Sequence, residues 1–175
     1  MQSRFDVAQL QRLVRAEPSG ANLLLTERAY GARLLGSRDL TTAGCSSASV
    51  KVRARDAFGD EVDAMFITPA NCDLRAVSAD GLVGCRVAGL TRAAKQGSSM
   101  PPDATLMDQQ LDPRDLLPAG ESLLHVLIPA RFVDFAQPPP CLSVLSCVAA
   151  VDRCAEVLGA DVAFVGAVAE SELPN

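Results

Sequence analysis

His125 is the one histidine in the 175-residue chain, and Glu121 stands four residues before it. On a helix that spacing puts both side chains on one face. The pair could serve as acid/base groups or as two metal ligands. Catalytic zinc, however, generally takes three protein ligands and an open position, so one Glu and one His fall short. A Ser–His–Asp triad or a Cys–His pair would have to use His125 as its base. No Gly-x-Ser-x-Gly elbow occurs. The structural alternative is a histidine that is hydrogen-bonded into the fold, and the residues alone leave both readings open.

Two other places could do chemistry. The run Thr41 to Ser47 is small and rich in hydroxyls. Thr42, Gly44, Ser46 and Ser47 could present backbone N–H and O–H donors to a phosphate or another anion. The run lacks the Gly-Lys-Ser/Thr end of a Walker loop, and an ordinary turn has the same composition. Cys141 follows Pro138-Pro139-Pro140 at an expected helix start. A helix N-terminus lowers a thiol pKa, which makes Cys141 a candidate reactive thiol; the alternative is inert packing.

These residues need elements to position them. Residues 5–16 fit a short amphipathic helix with Phe5, Leu10, Leu13 and Val14 as its apolar set. Together with the linker to residue 20 it forms an N-terminal appendage, broken by Pro18-Ser19-Gly20. Residues 21–36 predict a stronger helix, with Leu25, Ala29, Ala32 and Leu35 on one stripe and Gly36 as its stop. Ser49 to Arg53 alternate as a strand with Val50 and Val52 inward. Met65 to Thr68 and residues 82–88 supply two more strands. The Pro-, Gly- and Ser-containing stretch 90–120 predicts a long loop excursion over the surface, with room for one helical turn. Residues 121–136 are ambiguous between helix and strand. Residues 141–158 predict a helix, and Asp161 to Val168 a last buried strand. Strands interleaved with helices make this an α/β or α+β chain, and its length fits a single domain over 1–175.

Composition limits the partners. Sixteen Lys and Arg against 21 Asp and Glu give a net charge of −5. That balance argues against nucleic acid and anionic membrane. No apolar run approaches the length of a transmembrane helix. The N-terminus lacks the apolar core of a secretory signal, which points to the cytoplasm. Arg4, Arg12 and Arg15 leave organelle targeting as the other option. Six cysteines without a CxxC pair are expected to be reduced and mostly buried.

The order of motifs resembles the class II aldolase/adducin family, from about Leu24 to about Leu158. Arg28-Ala29-Tyr30-Gly31-Ala32-Arg33-Leu34-Leu35 resembles the family's first helix, Thr42-Ala43-Gly44-Cys45 its following loop, and Ser49-Val50-Lys51-Val52-Arg53 its first strand. Met65-Phe66-Ile67-Thr68-Pro69-Ala70-Asn71 is similar to the next strand and its phosphate-contacting turn. Val77 to Val83 and Val87-Ala88-Gly89 are similar to the segments after it. Ala119-Gly120-Glu121-Ser122-Leu123-Leu124-His125 keeps the family's Glu and His at their spacing.

The resemblance implies a central, mainly antiparallel sheet flanked by helices, with Glu121 at the place of the catalytic acid/base. It also implies zinc, held by a His-x-His pair and a later third His. Counted without gaps, Pro140-Cys141-Leu142 falls at that pair, and neither Pro140 nor Leu142 can bind a metal. No third His exists. Cys45, Ala70-Asn71 and Ala119-Gly120 replace the phosphate-contacting residues, and the chain stops short of the family's C-terminal helices. Without the metal nothing stabilises an enediolate. We therefore expect no metal and no cofactor. The expected role is that of a degenerate member: a structural or interaction subunit, as a homo-oligomer or within a larger assembly. Adducin shows that the fold can outlast its chemistry. The alternatives are a lyase- or epimerase-like enzyme on a small sugar-phosphate-type substrate with a rebuilt site at Glu121 and His125, and a small-molecule binding module that retains the old pocket.

Overall fold

The computed structural model describes residues 4–18, 22–36, 40–41, 44–96, 102–113, 115–147, 152 and 154–156. The chain divides into two compact units, Met1–Gln137 and Pro138–Asn175.

In the first unit, α1 (Val7–Ala16) begins where the Asp6 carboxylate accepts from the Ala8 and Gln9 amides. Asn22 caps α2 (Leu23–Leu35) in the same way through the Leu24 amide. These caps satisfy donors that have no partner inside the helix. β1 (Ser47–Arg55) and β2 (Glu61–Ile67) form an antiparallel hairpin. Two 3-10 turns, Leu74–Ala76 and Ala79–Gly81, lead to β3 (Val83–Arg86), which runs straight into α3 (Val87–Gln96). Then come α4 (Pro102–Asp108), α5 (Ser122–Leu127) and β4 (Phe132–Phe135). The sheet order is β3-β2-β1-β4, with every neighbour antiparallel.

Helices cover the sheet on both faces. One face carries Met65, Ile67, Val83 and Cys85, which pack with Leu90 of α3, Leu106 of α4 and Val126 of α5. On the other face Ala29 of α2 packs with Leu74, Val77 and Leu82, and Phe66, Leu25 and Leu35 join the cluster. The alternation of β2 explains the division: Met65 and Ile67 point one way and Phe66 the other. Burying apolar area on both faces provides the driving force.

Several expectations need correction. Stretch 90–120 is no loop excursion: it holds most of α3 and all of α4. Its buried residues, among them Leu90, Thr105, Leu106, Gln110 and Leu111, tie it to the core. Proline masked this, because Pro102 sits at a helix start, where a missing N–H costs nothing. Residues 82–88 split between β3 and the first turn of α3. The ambiguous stretch 121–136 is both things in turn, α5 and then β4. Pro129 lies in the connection, just past the Ile128 cap. Val50 is buried as expected, but so are Ser47 and Ser49 on the opposite side of β1.

In the second unit, α6 (Pro139–Leu145) begins two residues earlier than expected, because Pro139 and Pro140 occupy its first turn, where a missing N–H costs nothing. The expected helix over 141–158 stops at Leu145, where Ser146 caps it; beyond residue 147 only 152 and 154–156 are described, and the expected strand Asp161 to Val168 lies outside the described residues. Of the six free cysteines only Cys85 and Cys154 are buried, so the expectation of mostly buried thiols fails. Among the described residues no helix is long and apolar enough to cross a membrane.

Candidate functional site

The site grows from the contact between α5 and β1. The segment before α5 is stitched to the end of β2. Ala70 N–H donates to Leu117 O at 2.8 Å, and Ala119 N–H donates to Thr68 O at 3.2 Å. These bonds place Glu121 at the N-cap of α5, whose carbonyl accepts from the Leu124 and His125 amides, each at 2.9 Å. One helical turn on, His125 points at the sheet. Ser47 and Ser49, two apart on β1, share the sheet face that it meets.

Both ring nitrogens are engaged. Nδ1 lies 2.8 Å from Ser49 Oγ and Nε2 lies 3.2 Å from Ser47 Oγ. Ser47 Oγ–H in turn donates to Glu121 Oε2 at 3.3 Å. The directions follow from counting protons. A hydroxyl has one hydrogen to give, and Ser47 gives it to the carboxylate. The ring must therefore donate from Nε2–H to Ser47, which leaves Nδ1 to accept from Ser49. The result is a directed chain, Ser49 to His125 to Ser47 to Glu121.

The chain is closed to solvent except at its acidic end. His125 is 1% exposed and both serines are 0% exposed, whereas Glu121 is half-buried. Burial pushes the His125 pKa below its usual value. Glu121 and then Asp134 pull it up, while Lys51 and Arg28 push it down. The ring is thus neutral at neutral pH, as the hydrogen bonding requires.

Charged neighbours hold the frame. Lys51 Nζ donates to Ile128 O and, at 3.2 Å, to Ala130 O, and Lys51 N–H donates to Arg131 O at 2.8 Å. One lysine thereby fixes the α5–β4 connection to β1. Its own pKa is lowered by loss of hydration. On the opposite face of the sheet Arg28 of α2 pairs with Asp134 of β4 at 2.9 Å and lies over the Phe132 ring.

The other expected site residues do not all join this group. Thr42 lies outside the described residues. Gly44 takes φ +77°, a left-handed conformation that suits glycine, and Ser46 Oγ is buried without a hydrogen-bond partner among the described residues. Ser47 does not belong to that loop at all: it opens β1 and faces His125. Cys141 is exposed on α6 of the second unit. Ser49 and Lys51 join the site without having been expected there from the sequence. The signal was there in the i, i+2 spacing of Ser47, Ser49 and Lys51. Polar residues on a strand usually face water, so that spacing alone does not mark a site.

The residues present do not fit a zinc ion of the kind the family resemblance implies. The single imidazole has both nitrogens bound to serine hydroxyls. Among the described residues no group of three His, Cys, Asp or Glu could hold a metal. Nucleophilic catalysis through Ser47 or Ser49 fails on access, since neither hydroxyl meets solvent.

No family model matches the chain. Among solved structures it is similar to the N-terminal class II aldolase domain of a conserved protein from Thermoplasma acidophilum. The TM-score is 0.73 at 25% identity, over 91% of this chain and 70% of that one. Among curated proteins it is similar to the uncharacterized oxidoreductase YuxG of Bacillus subtilis (strain 168), with 26% identity over 123 residues. That match takes in 67% of this chain but 18% of the relative's length. The fold is that of a class II aldolase domain, an antiparallel sheet between helices. The likeness is to the class II aldolase-like family.

Proposed function

We propose that the chain is a class II aldolase-like module without metal-dependent lyase activity of its own. It serves in the cytoplasm as a structural or interaction subunit, as a homo-oligomer or within a larger assembly. One observation carries this reading: the sole imidazole is saturated by Ser47 and Ser49 in a place without solvent. A group so held makes a clasp between helix and sheet, and it cannot reach a substrate or release a ring nitrogen to a cation. Glu121 has lost the electrophile that an aldolase's acid/base works beside.

A second reading has one observation in its favour. Ser46 Oγ is buried and unpaired beside the left-handed Gly44. Such a donor suits an oxyanion, and a small-molecule binding module would use it.

The test is made on purified protein. After dialysis against zinc the metal content is measured, along with cleavage of a sugar phosphate and mass by light scattering. The reading predicts zinc well below one per chain, no cleavage above the buffer rate and a defined oligomer. Stoichiometric zinc with cleavage that a chelator abolishes contradicts it. Titration with inorganic phosphate by calorimetry supports the second reading if it saturates at one site.

A further inference from the structure

We infer that the Ser47–His125–Ser49 clasp is an acid-sensitive latch. It holds α5 on β1 while the imidazole carries one proton and loosens when the ring takes a second. The reason is geometric. In the neutral ring every hydrogen of the clasp has an acceptor. A second proton lands on Nδ1, the atom that accepts from Ser49 at 2.8 Å. Nδ1–H then becomes a donor, so Ser49 Oγ must accept from it and turn its own hydrogen elsewhere. Among the described residues Ser49 Oγ has no other hydrogen-bond partner; it is fully buried, and its cross-strand neighbours are Ile67 and Val133. Neither side chain can accept a hydrogen bond. A buried donor stranded in this way favours opening.

The charged groups around the ring are few. Glu121 on α5 and Asp134 on β4 attract the second proton, while Lys51 on β1 and Arg28 on α2 repel it. Burial opposes protonation most strongly, so the folded pKa lies below its ordinary value. The sign follows. An exposed histidine titrates near about 6.5 and binds a proton more tightly than the clasped ring does. The latch is therefore at full strength above that pH and weakens as pH falls through the folded pKa.

The mobile part is small. The segment before α5 is bonded to Thr68 and Ala70, and the segment after it to Lys51. Loosening is thus confined to α5, while β2, which has no histidine, serves as the internal reference.

Amide hydrogen exchange at pH 7.5, 6.5 and 5.5, corrected for intrinsic rates, reads the opening directly. On acidification we expect residues 122–127 to open about five- to 150-fold more often relative to residues 61–67. His125→Asn keeps a donor and an acceptor but does not titrate, so the ratio becomes independent of pH. Glu121→Gln keeps the dependence and moves it to lower pH. The ring itself, followed by NMR in the unmodified protein, titrates with the same midpoint as the opening. A flat ratio in the unmodified protein, a dependence that survives in His125→Asn, or a ring midpoint unrelated to opening each overturns the inference.

Discussion

On the sheet face covered by α3 and α5, the β2–β3 half and the β1 half are equally dry and chemically opposite. The first is filled by Met65, Ile67, Val83, Cys85, Leu90 and Leu106. The second is filled by Ser47, Ser49 and His125. Apolar packing is non-directional, and each side chain contributes by its area and fit. The polar half works by matched directions, where every group depends on its neighbour's proton. The apolar half should therefore lose stability in proportion to what is cut away. The polar half should fail when one member goes and recover when all go together.

The largest effect belongs to the apolar half. Leu90→Ala leaves a cavity under the sheet and costs about 2–5 kcal/mol; urea unfolding followed by circular dichroism measures it. A smaller loss comes from breaking the clasp at one point. Ser49→Ala leaves Nδ1 buried and unpaired, at a cost of about 1–3 kcal/mol in the same experiment. The smallest effect sharpens the comparison. The triple variant Ser47→Ala, Ser49→Ala, His125→Leu removes every polar partner at once and should lie within about 1 kcal/mol of the parent. Glu121 is half-buried and can turn to water once Ser47 is gone. A triple variant weaker than Ser49→Ala would show that the clasp stabilises by more than mutual satisfaction.

Cysteine chemistry follows the same division. Burial in the apolar half pushes the Cys85 thiol up to about 12, so it stays protonated and inert.

The parts of the fold that were legible in the sequence are those whose period was clean. The α2 stripe, the β1–β2 hairpin and the four-residue spacing of Glu121 and His125 all fall where the pattern puts them. The α3–α4 stretch was hidden because Gly, Ser and Pro cluster between its helices, and that composition is shared with true loops. The clasp was hidden for a different reason. Alternation on β1 marks Val50 as inward, and the usual inference sends the other side to water. Here α5 covers that side, and only a histidine 76 residues on from Ser49 in sequence reveals why serines are tolerated there. His125 itself was visible as either a catalytic or a structural residue. Its partners come from a distant strand, so spacing alone could not decide.

The account rests on the state of one imidazole, and a chain with a single histidine makes that state directly measurable. Long-range 15N–1H NMR of His125 at neutral pH, before and after one equivalent of zinc, reports tautomer and metal binding together. The account predicts a neutral ring with its proton on Nε2, Nδ1 accepting a hydrogen bond, and no change on adding zinc. A stoichiometric zinc-induced shift of either ring nitrogen, or a ring already doubly protonated, would contradict it.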